Sequence, residues 1–126
     1  MNHVVSGTIT LCLLLVLTLG GGCKENVAPP TPIPADQLPA ALEKAFAKAK
    51  AEAKDLSAQV ITSIQGQDYS KAYFAMQTLA TKPGLNKEQL RVTTGGLMTL
   101  NELLQAAQSK GDAKAGEVLK FHRENK

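Results

Sequence analysis

The stretch L-N-K-E-Q-L-R-V-T-T-G-G-L-M-T-L-N-E-L-L-Q-A-A, from Leu85 to Ala107, carries the clearest folding signal in the chain. Asn86 stands where a helix N-cap is needed and Gln89 follows three residues later, the spacing of a capping box, while Leu85 and Leu90 are placed as a hydrophobic staple. Leu90, Thr93, Leu97, Leu100, Leu104 and Ala107 then recur at steps of three and four, which predicts one apolar seam on a long helix. Gly95 and Gly96 interrupt the propensity, and two glycines inside a helix cost about 2 kcal/mol against alanine. The helix either kinks there, presents bare backbone to a ligand, or uses the missing side chains for close contact with a neighbour. Close packing against the small residues Ala49 and Ala53 is the reading adopted.

Working upstream, Lys82-Pro83-Gly84 ends a helix that begins at Asp68 as cap, with Tyr69, Ala72, Tyr73, Met76, Leu79 and Ala80 on one side. Before it, Leu38, Leu42, Phe46, Ala49, Ala53, Leu56, Val60 and Ile64 predict a single amphipathic helix ending near Gln65-Gly66, with Asp36 as its cap and Pro39 in the tolerated first turn. Its opposite face, Lys44, Lys48, Lys50 and Lys54 mixed with Glu43, Glu52 and Asp55, reads as a solvated surface. Downstream, Ser109-Lys110-Gly111-Asp112 closes the long helix and opens a last one, whose inner face is Ala115, Val118, Leu119 and His122. No alternating apolar stretch is long enough for a sheet. The expectation is an all-α chain, a small bundle of about four helices arranged as hairpins over residues 36–126.

The N-terminal part is a different polymer. Residues 1–22 hold no Asp, Glu, Lys or Arg, and the run from Ile9 to Leu19 reaches only residue 4 when extended backward. A bilayer core takes about 20 residues of helix, so the segment reads as a signal peptide rather than a membrane span. Val27–Pro39 carries five of the six prolines and predicts an extended spacer, with residues 23–35 as linker. Leu, Ile, Val and Phe number 21 in the 104 residues beyond residue 22. That is close to the roughly 20% below which chains stay disordered, so the core is thin and a partner or self-association would add to its stability.

Gly20-Gly21-Gly22-Cys23 after the apolar run resembles the lipobox of bacterial lipoprotein precursors. The resemblance implies cleavage before Cys23, a lipid on its sulfur, attachment to a membrane through that lipid, and a place in the extracytoplasmic cell envelope. Lys24 in the next position, where that family uses Asp for inner-membrane retention, implies the outer membrane in a host that has two. An ordinary secretory signal, leaving Cys23 as a free thiol, and an uncleaved anchor are the competing readings. Gln67-Asp68-Tyr69-Ser70-Lys71-Ala72, with Met76, Leu79 and Pro83, is similar to the second helix of a tetratricopeptide unit, and Gly111-Asp112-Ala113-Lys114-Ala115 resembles a second such start. That likeness implies a protein-interaction surface and no catalysis.

Chemistry-bearing groups are sparse. Beyond the leader the chain has one histidine, His122, and one cysteine, Cys23, too few for a zinc site or for a nucleophile with its base. No cofactor loop is present, and a net charge of +3 with few aromatics excludes a nucleic-acid footprint. The function expected is therefore a lipid-anchored envelope lipoprotein acting as a helical interaction or scaffold module, not an enzyme. Tyr73, Phe74 and Phe121 are the candidate interaction surface, because adjacent Tyr73 and Phe74 cannot both face one helix's own core stripe; the competing reading packs both between helices. The alternative is a structural protein joined to peptidoglycan, since Lys126 occupies the place of the linked C-terminal lysine in the murein lipoprotein.

Overall fold

The computed structural model describes residues 28–125. Within them the chain is all-helical, with α1 Leu38–Phe46, α2 Ala51–Gln65, α3 Tyr69–Ala80, α4 Lys87–Ser109 and α5 Ala113–Glu124. The leader, Cys23 and Lys126 lie outside the described residues. Helix α1 packs on α2 and α4, α2 on α3, and α3 on α4, so four helices close a ring; α5 lies outside it on α4 and α3. Leu38, Leu42, Phe46, Val60, Met76, Leu79, Val92, Leu100 and Leu104 fill the ring and are fully buried or nearly so. Each such side chain contributes about 1.5–3 kcal/mol relative to exposure.

The single helix expected over residues 38–64 is two helices, parted at Ala47–Lys50, where Lys50 turns extended (ψ 151°). The stripe is intact on both sides of the break, but no Pro or Gly marks it; its cause is tertiary. A continuous helix would carry α1 past the bundle, whereas the break lets α1 lie against both α2 and α4. The carbonyl ends that the break exposes are served by a distant group: the Gln89 side chain donates through Nε2 to the Ala45 carbonyl at 3.1 Å. Gln89 also completes the capping box of α4, accepting from the Asn86 N–H while the Asn86 side chain accepts from the Gln89 N–H. Asp36 does not cap α1; its first turn starts from the Pro34 carbonyl, which accepts from the N–H groups of Gln37 and Leu38.

Helix α4 runs unbroken through Gly95 and Gly96, and the glycines serve close contact, though not against Ala49 and Ala53. A Cβ on Gly96 would stand 2.5 Å from the Met76 methyl and 3.1 Å from Leu38, and one on Gly95 would stand 2.8 Å from the Thr31 carbonyl oxygen. These contacts fix the rotation of α4. Leu90 lies six residues before Gly96, about 240° around at 3.6 residues per turn, and is 46% exposed rather than on the seam. The buried face is instead Gln89, Val92, Thr93, Gly96, Leu100 and Leu104. The linker is also shorter than expected, because Ile33 is buried against Gly95 and the folded part begins near Thr31.

Two connections share one design. At the end of α2, Gln67 N–H bonds the Ile64 carbonyl and Asp68 N–H bonds that of Ser63; at the end of α4, Gly111 N–H bonds Gln108 and Asp112 N–H bonds Ala107. Both are Schellman endings. In each the following aspartate then caps the next helix, Asp68 accepting from the Lys71 N–H and Asp112 from the Ala115 N–H. Gly111 takes the left-handed conformation at φ 93°, but the equivalent position in the first link is Gln67 at φ 57°. A side chain there costs about 1 kcal/mol, partly offset by the stiffer unfolded chain. Gln67→Gly is expected to stabilise the fold by about 0.5 kcal/mol. Thermal unfolding checks it, with a rise of about 2–4 °C predicted.

Candidate interaction surface

Neighbouring helix positions are about 100° apart, so two adjacent aromatic residues divide between inside and outside. On α3, Tyr73 is buried and Phe74 is 45% exposed; on α5, Phe121 is 54% exposed and His122 half-buried. The two pairs meet across the α3–α5 contact. Phe74 and Phe121 meet edge-to-face with centroids 6.4 Å apart, Tyr73 and His122 do so at 5.8 Å, and Tyr73 and Phe74 are 6.2 Å apart. All three candidate residues thus lie in one cluster, with the two phenylalanines forming its outer surface. Tyr73 packs between helices and Phe74 faces solvent, in line with the reading that the two cannot both face the core stripe; the competing reading, with both packed between helices, does not describe the pair.

His122, expected on the inner face of the last helix, is the fourth member of the cluster. Its Nδ1 is 2.8 Å from the Tyr73 hydroxyl, and Gln77 Nε2 donates to the same hydroxyl at 3.5 Å. The tyrosine is therefore satisfied inside the fold, and burial pushes its phenol above the usual value of 10.0. Asn125 donates from both its backbone N–H and its side chain to the Phe121 carbonyl, closing α5 directly below the cluster. The surrounding charges on α5 are of mixed sign, with Lys120 and Glu124 3.9 Å apart. Edge-to-face pairs of this kind contribute about 0.5–1.5 kcal/mol beyond area burial, so the cluster ties the short α5 to the ring as well as presenting an apolar surface.

Elsewhere the surface is open. A cleft of about 350 Å³ between the α1–α2 break and the α3–α4 connection is lined by Lys48, Lys50 and Lys82, with Glu52 its single carboxylate. Glu52 is engaged by Lys82. At the start of α4, hydrogen bonding from the Arg91 guanidinium holds the exposed Glu88 carboxyl below its ordinary range. Among the described residues no group of three or more His, Cys, Asp or Glu side chains is placed to hold a metal ion, and no helix is long and apolar enough to cross a membrane. In comparisons with known proteins, no family model, curated protein or solved structure matches the chain.

Tyr73→Phe keeps the ring packing and removes the hydroxyl between His122 and Gln77. A loss of about 0.5–1.5 kcal/mol is expected, read by denaturant unfolding at neutral pH. The raised phenol adds a pH signature: the protonated form is favoured in the fold, so its contribution is complete below pH 10.0 and falls as pH climbs from there through the higher folded value. That component of alkaline destabilisation, and the matching component of tyrosinate absorbance above pH 10.0, are expected to vanish in Tyr73→Phe.

Proposed function

We propose that this protein is a lipid-anchored cell-envelope module that binds another envelope protein through the α3–α5 aromatic face. The observation that carries the reading is the pairing of Phe74 with Phe121, both about half exposed and edge-to-face, with the buried Tyr73 and half-buried His122 beneath them. Exposed apolar clusters on a rigid support mark contact sites, and aromatic side chains supply most of the energy at such sites. Helices α3 and α5 both pack on α4 and on each other, so the face stands on a packed support. The leader and Gly20-Gly21-Gly22-Cys23 support attachment through lipid on Cys23 and an extracytoplasmic address. Binding rather than catalysis is the activity proposed.

In-cell crosslinking followed by affinity capture of the full chain tests the face. Phe74→Ala and Phe121→Ala are expected to lower recovery of the crosslinked partner by about ten-fold or more, the size of an interface anchor, with helical circular dichroism unchanged. Undiminished capture by both variants would remove the face from the interface. Fatty-acid labelling tests the anchor: label on the wild type and none on Cys23→Ser is the expected pattern, and an unlabelled wild type would end the lipoprotein reading.

A further inference from the structure

The segment ahead of α1 is extended and proline-rich, yet it is fastened to the bundle at three points. The Thr31 carbonyl and the Ile33 side chain fill the space that a side chain on Gly95 would take, at 2.8 and 3.0 Å from the missing Cβ. Ile33 is only 8% exposed, and its carbonyl accepts from the buried Thr99 hydroxyl, which is also 3.0 Å from the Gly95 carbonyl of its own helix. Pro34 then starts the first turn of α1 through its carbonyl. Pro32 and Pro34 keep this run from joining a helix, and each prolyl nitrogen lacks the N–H that would otherwise need a partner.

We infer that Thr31–Pro34 is a mooring that sets how far, and with which face outward, the folded part stands from a bilayer. This rests on the lipid anchor proposed above. With the mooring in place only eight Cα steps separate Cys23 from the fastened Thr31, a reach of about 28 Å at most. Without it the first fastened residue would be Leu38, fifteen steps from Cys23 and about 50 Å away at most. The mooring also sets direction. Gly95 receives the strap, whereas Gln108, thirteen residues on and about 220° around α4, packs on Gly116 of α5. The strap and α5 therefore lie on opposite sides of α4, and the Phe74–Phe121 face looks away from the membrane.

Two measurements test the inference, the first of them independently of the anchor. The first needs no lipid. In the full chain carrying Cys12→Ser, Cys23→Ser and Ile33→Cys, maleimide alkylation of the introduced thiol is expected to be at least about ten-fold slower folded than in urea, in keeping with burial behind a local opening. Gly95→Leu is expected to restore fast alkylation with helical circular dichroism retained. Should that variant unfold, Thr99→Val, which removes the hydroxyl at little change in volume, is expected to speed alkylation several-fold. Equal rates in the folded and urea-unfolded chain overturn the mooring.

The second uses the acylated wild-type protein in phosphatidylethanolamine and phosphatidylglycerol vesicles with an energy-transfer acceptor in the headgroups. A donor on Glu102→Cys, beside the strap, is expected to lie nearer the bilayer than one on Lys120→Cys by roughly two helix layers, about 15–20 Å. Gly95→Leu is expected to abolish that difference. Equal distances for the two labels in the moored protein overturn the orientation. Absence of fatty acid on the wild type ends the anchor and the stand-off together, while the alkylation rates still decide whether the strap is moored.

Discussion

The arrangement depends on two adjacent positions in α4 that have no side chain. Gly96 admits Leu38 and Met76, which brings α1 and α3 onto one helix, and Gly95 admits the Thr31–Ile33 backbone on the next face round. The intrinsic penalty of about 2 kcal/mol for two helical glycines is offset by what they let in, since Leu38 and Met76 are fully buried and Ile33 nearly so. Because the approach is so close, α4 has a single rotational setting. Leu90 and Met98 are consequently outside, and Thr93, Thr99 and Gln89 are inside.

Buried polar groups finish what the thin apolar core begins. Gln89 joins the start of α4 to the end of α1, Thr99 joins the strap to α4, and Tyr73 joins α3 to α5 through His122. No buried side-chain nitrogen or oxygen among the described residues lacks a partner. Each of these three groups links segments that are far apart in sequence. Such a link is directional where apolar contact is not, which suits a chain whose alanine-rich helices offer few large side chains to define register.

This division also explains what was legible in the sequence. The starts of α3, α4 and α5 were readable from Asp68, Asn86 and Asp112 because a cap is a bond between a side chain and a backbone N–H three residues away. The break at Ala47–Lys50 was not, since its compensating bond comes from Gln89, 44 positions on, and the strap was read as free spacer because its partner Thr99 lies 66 positions on. The aromatic surface was partly legible: Tyr73, Phe74 and Phe121 stand out in a chain with five aromatics. His122 was legible as part of the inner face of α5, but its bond to Tyr73 was not, since the tyrosine lies 49 positions earlier. The mirrored order of the two pairs, inner Tyr73 before outer Phe74 and outer Phe121 before inner His122, was the available clue.

The paired links that end in Asp68 and Asp112 carry one more consequence. In both, a single aspartate gives its N–H to the helix behind and its carboxylate to the helix ahead. Adding or deleting one residue there would break two helix ends at once. The connection from Thr81 to Asn86 has no such double duty, because α3 closes on Thr81 and α4 opens on Asn86 as separate events. Length variation, and any tag or reporter domain spliced into the molecule, therefore belongs between Lys82 and Leu85, where the two halves of the bundle are joined by chain rather than by a shared residue.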